Sequence, residues 1–245
     1  MTLNNHPLRG KCALVTGGAK RIGRALALTL AEAGADVAIT YRGSVAEADQ
    51  TVNDLSALGV RSIAVACDVR KEASVAEATG LVLKTFGRLD LLVNNAGAFQ
   101  TGVLENISLE QWDSMFETNT RGPFLVAKAV HAALKQARGR IINIGSLGGI
   151  HPWSTHAHYC TSKAALHMLS ETMAKAWAPE ISVNCVAPGM IVQGEVNASY
   201  EQFAQKTPMQ RNGRAEDVAA AMLFFATGPH FITGQLLAVD GGLGL

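Results

Sequence analysis

Tyr159 and Lys163 stand four residues apart, separated by Cys160, Thr161 and Ser162. The recurrence of Tyr159, Ala164, Leu166, Leu169, Met173 and Trp177 predicts a helix over 156–178, in which positions i and i+4 share a face with Cβ atoms about 5–6 Å apart. A phenol and an ammonium then occupy one site. A free phenol titrates near pH 10 and is a poor acid–base catalyst at neutrality, whereas a close cation favours the phenolate and lowers that pKa. Tyr-x-x-x-Lys also occurs by chance on helix surfaces, so the meaning of the pair depends on its surroundings.

Upstream, Thr16-Gly17-Gly18-Ala19-Lys20-Arg21-Ile22-Gly23 links an apolar run to a segment with Ile22, Leu26 and Leu30 on one helical face. Close backbone approach and a free helix N-terminus suit a pyrophosphate there. The turn does not match Gly-x-Gly-x-x-Gly, and such turns are also ordinary strand–helix punctuation. The next strand end is more discriminating. NAD-binding forms of this arrangement carry an acid about 20 residues beyond the glycines to bind the ribose 2′-hydroxyl. Tyr41 and then Arg42 stand at that place. With no carboxylate to repel it, a 2′-phosphate would be taken by Arg42 and Arg21 in charge-assisted forks. NADP(H) is the expected cofactor.

The elements that must position these groups follow from hydrophobic periodicity. Strands are expected at 12–16, 36–41, 61–67, 89–94, 139–145, 181–186 and 235–239, and helices near 21–33, 45–58, 73–86, 109–136, 156–177 and 215–225. Strand followed by helix, repeated, means βαβ units, hence an α/β fold with a doubly wound, seven-stranded parallel sheet of Rossmann type and helices on both faces. A chain of 245 residues with 48% hydrophobic content fits one domain spanning 1–245. Residues 190–212 read as an irregular polar stretch, expected to be a substrate loop or lid.

Composition removes several function classes. The 21 basic and 20 acidic residues leave a net charge of +1, so neither nucleic acid nor an anionic membrane is an expected partner. No apolar run reaches the roughly 18–20 residues of a membrane span, and the first ten residues lack a signal-peptide core, so a cytoplasmic location is expected. Cys12, Cys67, Cys160 and Cys185 show no Cys-x-x-Cys spacing and read as reduced packing residues. His151, His156 and His158 crowd the segment before Tyr159 together with Trp153. An irregular loop does not fix three converging ligands, so they read as pocket wall and no metal is expected. Trp153 is suited either to stacking on a ring-shaped substrate or to packing within its loop.

Taken in order, these landmarks resemble the short-chain dehydrogenase/reductase family over essentially the whole chain. Residues 16–23 look like its cofactor turn, Asp68-Val69 like its adenine-contacting segment, and Asn94-Asn95-Ala96-Gly97 like its motif after the fourth strand. Asn119 matches its helix asparagine, Ser146 its serine 13 residues before Tyr159, Pro188-Gly189 and Ile191 its turn after the sixth strand, and Asp240-Gly241-Gly242 its close. The resemblance implies a catalytic tetrad. Tyr159 would exchange the proton of a carbonyl or alcohol oxygen, Lys163 would lower its pKa and hold the nicotinamide ribose, Ser146 would bond the reacting oxygen, and Asn119 would support a relay water. Donors aimed at that oxygen stabilise the charge that grows on it as hydride arrives. Cofactor contacts are implied at Thr16, Gly17, Arg21, Ile22, Gly23, Tyr41, Arg42, Asp68, Val69, Asn95, Ala96, Gly97, Tyr159, Lys163, Pro188, Gly189 and Ile191, and a homodimer or homotetramer is implied as well.

Two departures bear on the substrate. Arg21 replaces the family's usual glycine, which resembles pteridine reductases, as does Tyr41-Arg42 followed by Ser44. Those enzymes often carry an aspartate where this chain has Ser146, and a hydroxyl suits a carbonyl oxygen better than a pterin C=N. Gln193 stands where a threonine near the carboxamide is common, and can make similar bonds. The leading expectation is an NADP(H)-dependent carbonyl reductase or alcohol dehydrogenase for a small-molecule substrate. The alternatives are a 3-oxoacyl-[acyl-carrier-protein] reductase, which would want basic residues such as Arg121 or Arg138 at its pocket mouth, a pteridine reductase, and an NADPH-sensing regulator, which would have no need of Tyr159 and Lys163 together.

Overall fold

In the computed structural model, residues 6–192, 194 and 198–245 are described, which leaves Gln193 outside the described residues. Seven short segments rich in Val, Ile, Leu and Ala form β1 (Cys12–Val15), β2 (Asp36–Tyr41), β3 (Ser62–Ala66), β4 (Leu91–Asn94), β5 (Arg140–Ile144), β6 (Ser182–Pro188) and β7 (Leu236–Val239). All pair in parallel, in the order β3-β2-β1-β4-β5-β6-β7. Every residue of β1, β4 and β6 is buried, as a parallel sheet covered on both faces requires. The chain reverses its direction of progress between β1 and β4, and the crevice beyond the carboxyl ends of those strands is where such sheets bind dinucleotides.

Helices α1 (Arg21–Glu32), α2 (Val45–Ala57) and α8 (Ala215–Thr227) build the core on one face of the sheet, with Leu26, Leu30, Leu55 and Met222 fully buried against Val37 and Ile39. On the other face, α3 (Glu72–Phe86), α5 (Gly122–Ala137) and α6 (Ala157–Trp177) cover Leu14, Leu92 and Ile141. The strands and most helices lie within a residue or two of the segments expected from periodicity.

Two expectations need correction. The helix expected over 109–136 is α4 (Leu109–Phe116), one π-helical turn (Glu117–Arg121), and then α5. Pro123 supplies the reason: it has no N–H to offer the carbonyl of Asn119 four residues earlier, and the Gly122 N–H instead reaches back five residues to the Glu117 carbonyl. The stretch 190–212 is not wholly irregular either, since it contains α7 (Ala198–Lys206). Tyr200, Phe203, Ala204 and Thr207 carry the helical spacing among many polar residues. A bridge between Ile191 and Gly213 closes the base of this excursion, with Gly213 N–H donating to the Met190 carbonyl at 2.9 Å.

Candidate active site

The glycine turn leaves no room for side chains. A Cβ on Gly23 would collide with the Gly17 carbonyl and lie 2.5 Å from the Asn95 amide nitrogen, and one on Gly18 would lie 2.6 Å from Ile39. Gly17 itself sits at φ 64°, where a side chain is strained. The Thr16 hydroxyl accepts the N–H groups of Asn95 and Ala96, each at 3.0 Å, and the Asn95 amide donates to the carbonyls of Thr16 and Gly17 at 3.0 and 3.1 Å. The ends of β1 and β4 are thus stitched together. The Asn95 side chain is spent on this stitching, so what it leaves for a ligand is its backbone. Arg21 opens α1 at φ 54°, the left-handed conformation usual for glycine.

At the far end of the crevice, Arg42 and Asp68 border a cavity of about 460 Å³ with Val65, Cys67, Ser74 and Leu81. Asp68 is held by a two-pronged fork from Arg70, Nε at 2.8 Å and Nη2 at 2.6 Å, whose hydrogen bonds bring its carboxyl down to about pKa 2. Among the described residues neither Arg21 nor Arg42 forms an ion pair, and both are exposed. Tyr41 ends β2, Val69 is buried against Gly122, and Ile22 and Ile191 pack into the core. Pro188 ends β6 beside Val239, and Gly189 lies so close to Asp240 that a Cβ would stand 2.7 Å from that side chain.

The four expected catalytic residues meet at the carboxyl end of β5. Asn119, fully buried in the π turn, accepts the Ala98 N–H at 2.8 Å and donates to the Ala98 carbonyl at 2.9 Å and the Ser162 hydroxyl at 3.0 Å. Ser162 in turn donates to the Tyr159 carbonyl at 2.7 Å. Ser146 follows β5; its hydroxyl accepts the Gly148 N–H at 3.1 Å and lies near enough to the Tyr159 phenol to favour its ionised form. Lys163 is 5% exposed and donates to the Ile144 carbonyl at 2.8 Å.

The electrostatics differ from the simple pairing expected of a phenol and an ammonium. Burial raises the Tyr159 phenol above its ordinary value, the Ser146 side chain opposes that rise, and Lys163 is not among its causes. The ammonium is turned to the end of β5 and is itself destabilised, with burial bringing it down to about pKa 8.

His167 is a residue that sequence reasoning missed, although it extends the Tyr159–Lys163 face by one further i+4 step. Its Nε2 accepts the Ser146 N–H at 3.3 Å, and its ring is wedged where Gly145 and Gly149 lack side chains, a Cβ on Gly149 lying 2.5 Å from Cε1. Burial first, and then Lys163, hold it down to about pKa 4, so it is the neutral acceptor this bond needs. The other histidines diverge. His156 bonds the hydroxyls of Thr101 and Thr155, whereas His158 is buried with neither ring nitrogen partnered among the described residues. All four thiols are buried, and burial pushes Cys12 and Cys185 up to about 12.

Two tests follow from this geometry. Arg21→Gly should relieve about 1 kcal/mol of left-handed strain, raising the melting temperature while weakening NADPH binding. Thermal unfolding and a fluorescence titration read the two effects separately, and tighter NADPH binding would contradict the assignment of the guanidinium to the cofactor. His167→Leu leaves the Ser146 N–H unpaired, at a cost of about 1–3 kcal/mol in stability, and should lower turnover with little change in NADPH affinity. His167→Gln, which can keep an acceptor near that N–H, should recover part of the turnover.

Comparison with known proteins agrees with this architecture. A family model described as Enoyl-(Acyl carrier protein) reductase matches residues 17–244. The 3-oxoacyl-[acyl-carrier-protein] reductase of Staphylococcus epidermidis is 38% identical over 240 residues, covering 95% of this chain and 98% of that one. Glucose 1-dehydrogenase 2 of Bacillus subtilis is 34% identical over 248 residues, covering 97% and 96%. A short-chain dehydrogenase from Burkholderia cenocepacia solved in complex with NADP superposes with a TM-score of 0.92 at 37% identity, covering 98% of this chain and 100% of that one. The parallel seven-stranded sheet, the stitched glycine turn and the Ser146–Tyr159–Lys163 cluster, set beside relatives of this likeness over almost the full length, place the chain in the short-chain dehydrogenase/reductase family of oxidoreductases.

Proposed function

We propose that the chain is an NADP(H)-dependent reductase of small carbonyl compounds, running in reverse as an alcohol dehydrogenase, with Tyr159 as general acid and base. The observation that carries this reading is the convergence of Ser146 and the Tyr159 phenol with a buried Lys163 at the end of β5. The crevice suits a dinucleotide phosphate: its glycines clear the backbone that a pyrophosphate approaches, and Arg21 and Arg42 stand unpaired, among the described residues, where a 2′-phosphate needs cations. Bound there, NADPH supplies the hydride.

The remaining work falls to the chain. The Ser146 hydroxyl and the Tyr159 phenol together hold the substrate oxygen, and the phenol gives it a proton as negative charge develops there. A phenol kept protonated by burial is the form that reduction requires. Lys163 carries its charge at neutrality and holds the cofactor ribose. Asn119, in the π turn beside this group, would support a relay water.

The 3-oxoacyl-[acyl-carrier-protein] reductase reading is favoured by the name of the Staphylococcus relative. Against it, Arg121 is engaged with Glu117 at 2.8 Å and with the Arg70 carbonyl at 3.2 Å, and Arg138 precedes β5, at the opposite end of the sheet from Ser146. One domain serves both cofactor and substrate. The edge strand β7 exposes Leu236 and Leu237, with Phe224 and Phe231 also exposed, a surface suited to a second copy of the chain in a dimer or tetramer. Among the described residues no helix is long and apolar enough to cross a membrane, and a cytoplasmic location completes the reading.

Tyr159→Phe keeps the ring and removes the proton, so turnover should fall by on the order of 10²-fold or more while NADPH titrates normally. Near-normal turnover would remove the mechanism. Arg42→Ala should weaken NADPH by about 1.5–3 kcal/mol and leave NADH almost unchanged. Wild-type protein that binds NADH more tightly than NADPH would overturn the cofactor assignment.

A further inference from the structure

Two aromatic rings, Phe99 and Trp153, flank Tyr159, and the His156 ring bridges them. Phe99, two residues beyond Gly97, meets the Tyr159 ring edge-on, with centroids 4.8 Å apart at 82°, and stacks on His156 at 4.9 Å and 30°. Trp153 lies nearly parallel to the Tyr159 ring, 6.1 Å away at 15°, and edge-on to His156 at 5.6 Å. These rings are braced. A Cβ on Gly148 would lie 3.0–3.2 Å from three carbons of the Trp153 ring, so the indole rests directly on that peptide. The Thr155 and Thr101 hydroxyls fix the two nitrogens of His156 at 2.9 and 3.1 Å. Phe99 is nevertheless 59% exposed, a planar apolar surface against the Tyr159 ring.

Such an arrangement selects by shape and polarity. Rings meeting in edge-on and parallel geometry around a phenol offer π faces and ring edges to a flat group, and a flexible alkyl chain would use that surface poorly. Phe99 and Trp153 lie against the Tyr159 ring, so a group attached directly to the carbonyl that Tyr159 protonates is the part of a substrate nearest to them. Burial and the neighbouring His158 lower the His156 pKa, so the rim carries no cation there at neutral pH to attract an anionic group.

We propose that Phe99, Trp153 and His156 form a subsite for a neutral, planar, conjugated group attached to the reacting carbonyl, which makes aryl ketones and aryl aldehydes the preferred substrate class. The proposal rests on the reading of Tyr159 as the proton donor. It narrows that reading from carbonyl compounds in general to those whose carbonyl is conjugated with a ring.

The test is steady-state NADPH oxidation with four matched probes: acetophenone, cyclohexyl methyl ketone, an acetoacetyl thioester and dihydropterin. Wild-type kcat/KM should favour acetophenone over the cyclohexyl ketone by about tenfold or more, the scale on which apolar pockets discriminate. Phe99→Leu, at an exposed position where folding is not at risk, should bring that ratio toward one, and Phe99→Tyr, which restores a ring, should restore it. Trp153→Leu should lower the ratio from the other side. Turnover of the cyclohexyl ketone or the thioester equal to or above that of acetophenone would overturn the subsite and leave the carbonyl reductase reading standing. An acetophenone preference untouched by both Phe99→Leu and Trp153→Leu would overturn it as well. No turnover of any carbonyl, or pterin turnover above all of them, would remove both readings together.

Discussion

A buried ammonium is the constraint around which this site is arranged. Lys163 is 5% exposed, and taking a charge that far from water is unfavourable unless polar groups replace the solvent. The Ile144 carbonyl, at the end of β5, is one such group. The ammonium therefore marks where the strand must stop and the helix must face, since only a carbonyl freed from the ladder can turn to meet it. Its lowered pKa, about 8, measures how incomplete the replacement is. The site is left ready for a further partner, and a ribose hydroxyl is the group that the proposed cofactor would bring.

The groups around Lys163 are kept from competing with it. His167 stays neutral partly because a second positive charge next to the first is unfavourable, and being neutral it can accept the Ser146 N–H. Gly145 and Gly149 make that contact possible by having no side chains in the ring's way. Ser146 is thus held at its backbone by His167 and at its hydroxyl by the Gly148 N–H. On the opposite side, Asn119 clamps Ala98 and reaches Ser162, which ties the π turn to the helix that carries Tyr159. Positions drawn from three separate elements are held by hydrogen bonds to backbone and amide groups, and the Ser146 hydroxyl, which accepts the Gly148 N–H, keeps its own proton to donate.

Much of this was legible in the sequence because it is local. Apolar runs buried on both faces gave the strands, 3.6-residue spacing gave the long helices, and the i, i+4 relation placed Tyr159 and Lys163 together. What was not legible depends on contacts between distant residues. The fork from Arg70 onto Asp68 looks in sequence like two ordinary surface charges, and the ring cluster joins Phe99 to residues more than fifty positions away. The π turn left a local trace in Pro123, four residues after Asn119, but an amphipathic pattern alone does not report a missing donor. Helix α7 was hidden for a different reason: its polar composition outweighs the few apolar residues that give it a face.

Local preference and fold disagree openly at Arg21, which shares a left-handed backbone with Arg138 and Gln210 among the non-glycine residues described. Every other left-handed residue of the cofactor turn is glycine, and Arg21 at φ 54° holds a conformation that disfavours any Cβ. Stability alone would select glycine there. A bulky cation kept in a strained backbone position, at the N-terminus of the helix that faces the crevice, is explained if its charge is needed at that point and at no neighbouring one. Lys20 shows why a neighbour does not suffice: its ammonium is already drawn to Glu47 at 3.1 Å, across from α2. The strain at Arg21 and the absence of an acid at Tyr41 thus bear on the proposed 2′-phosphate site from independent directions, one through backbone geometry and the other through charge.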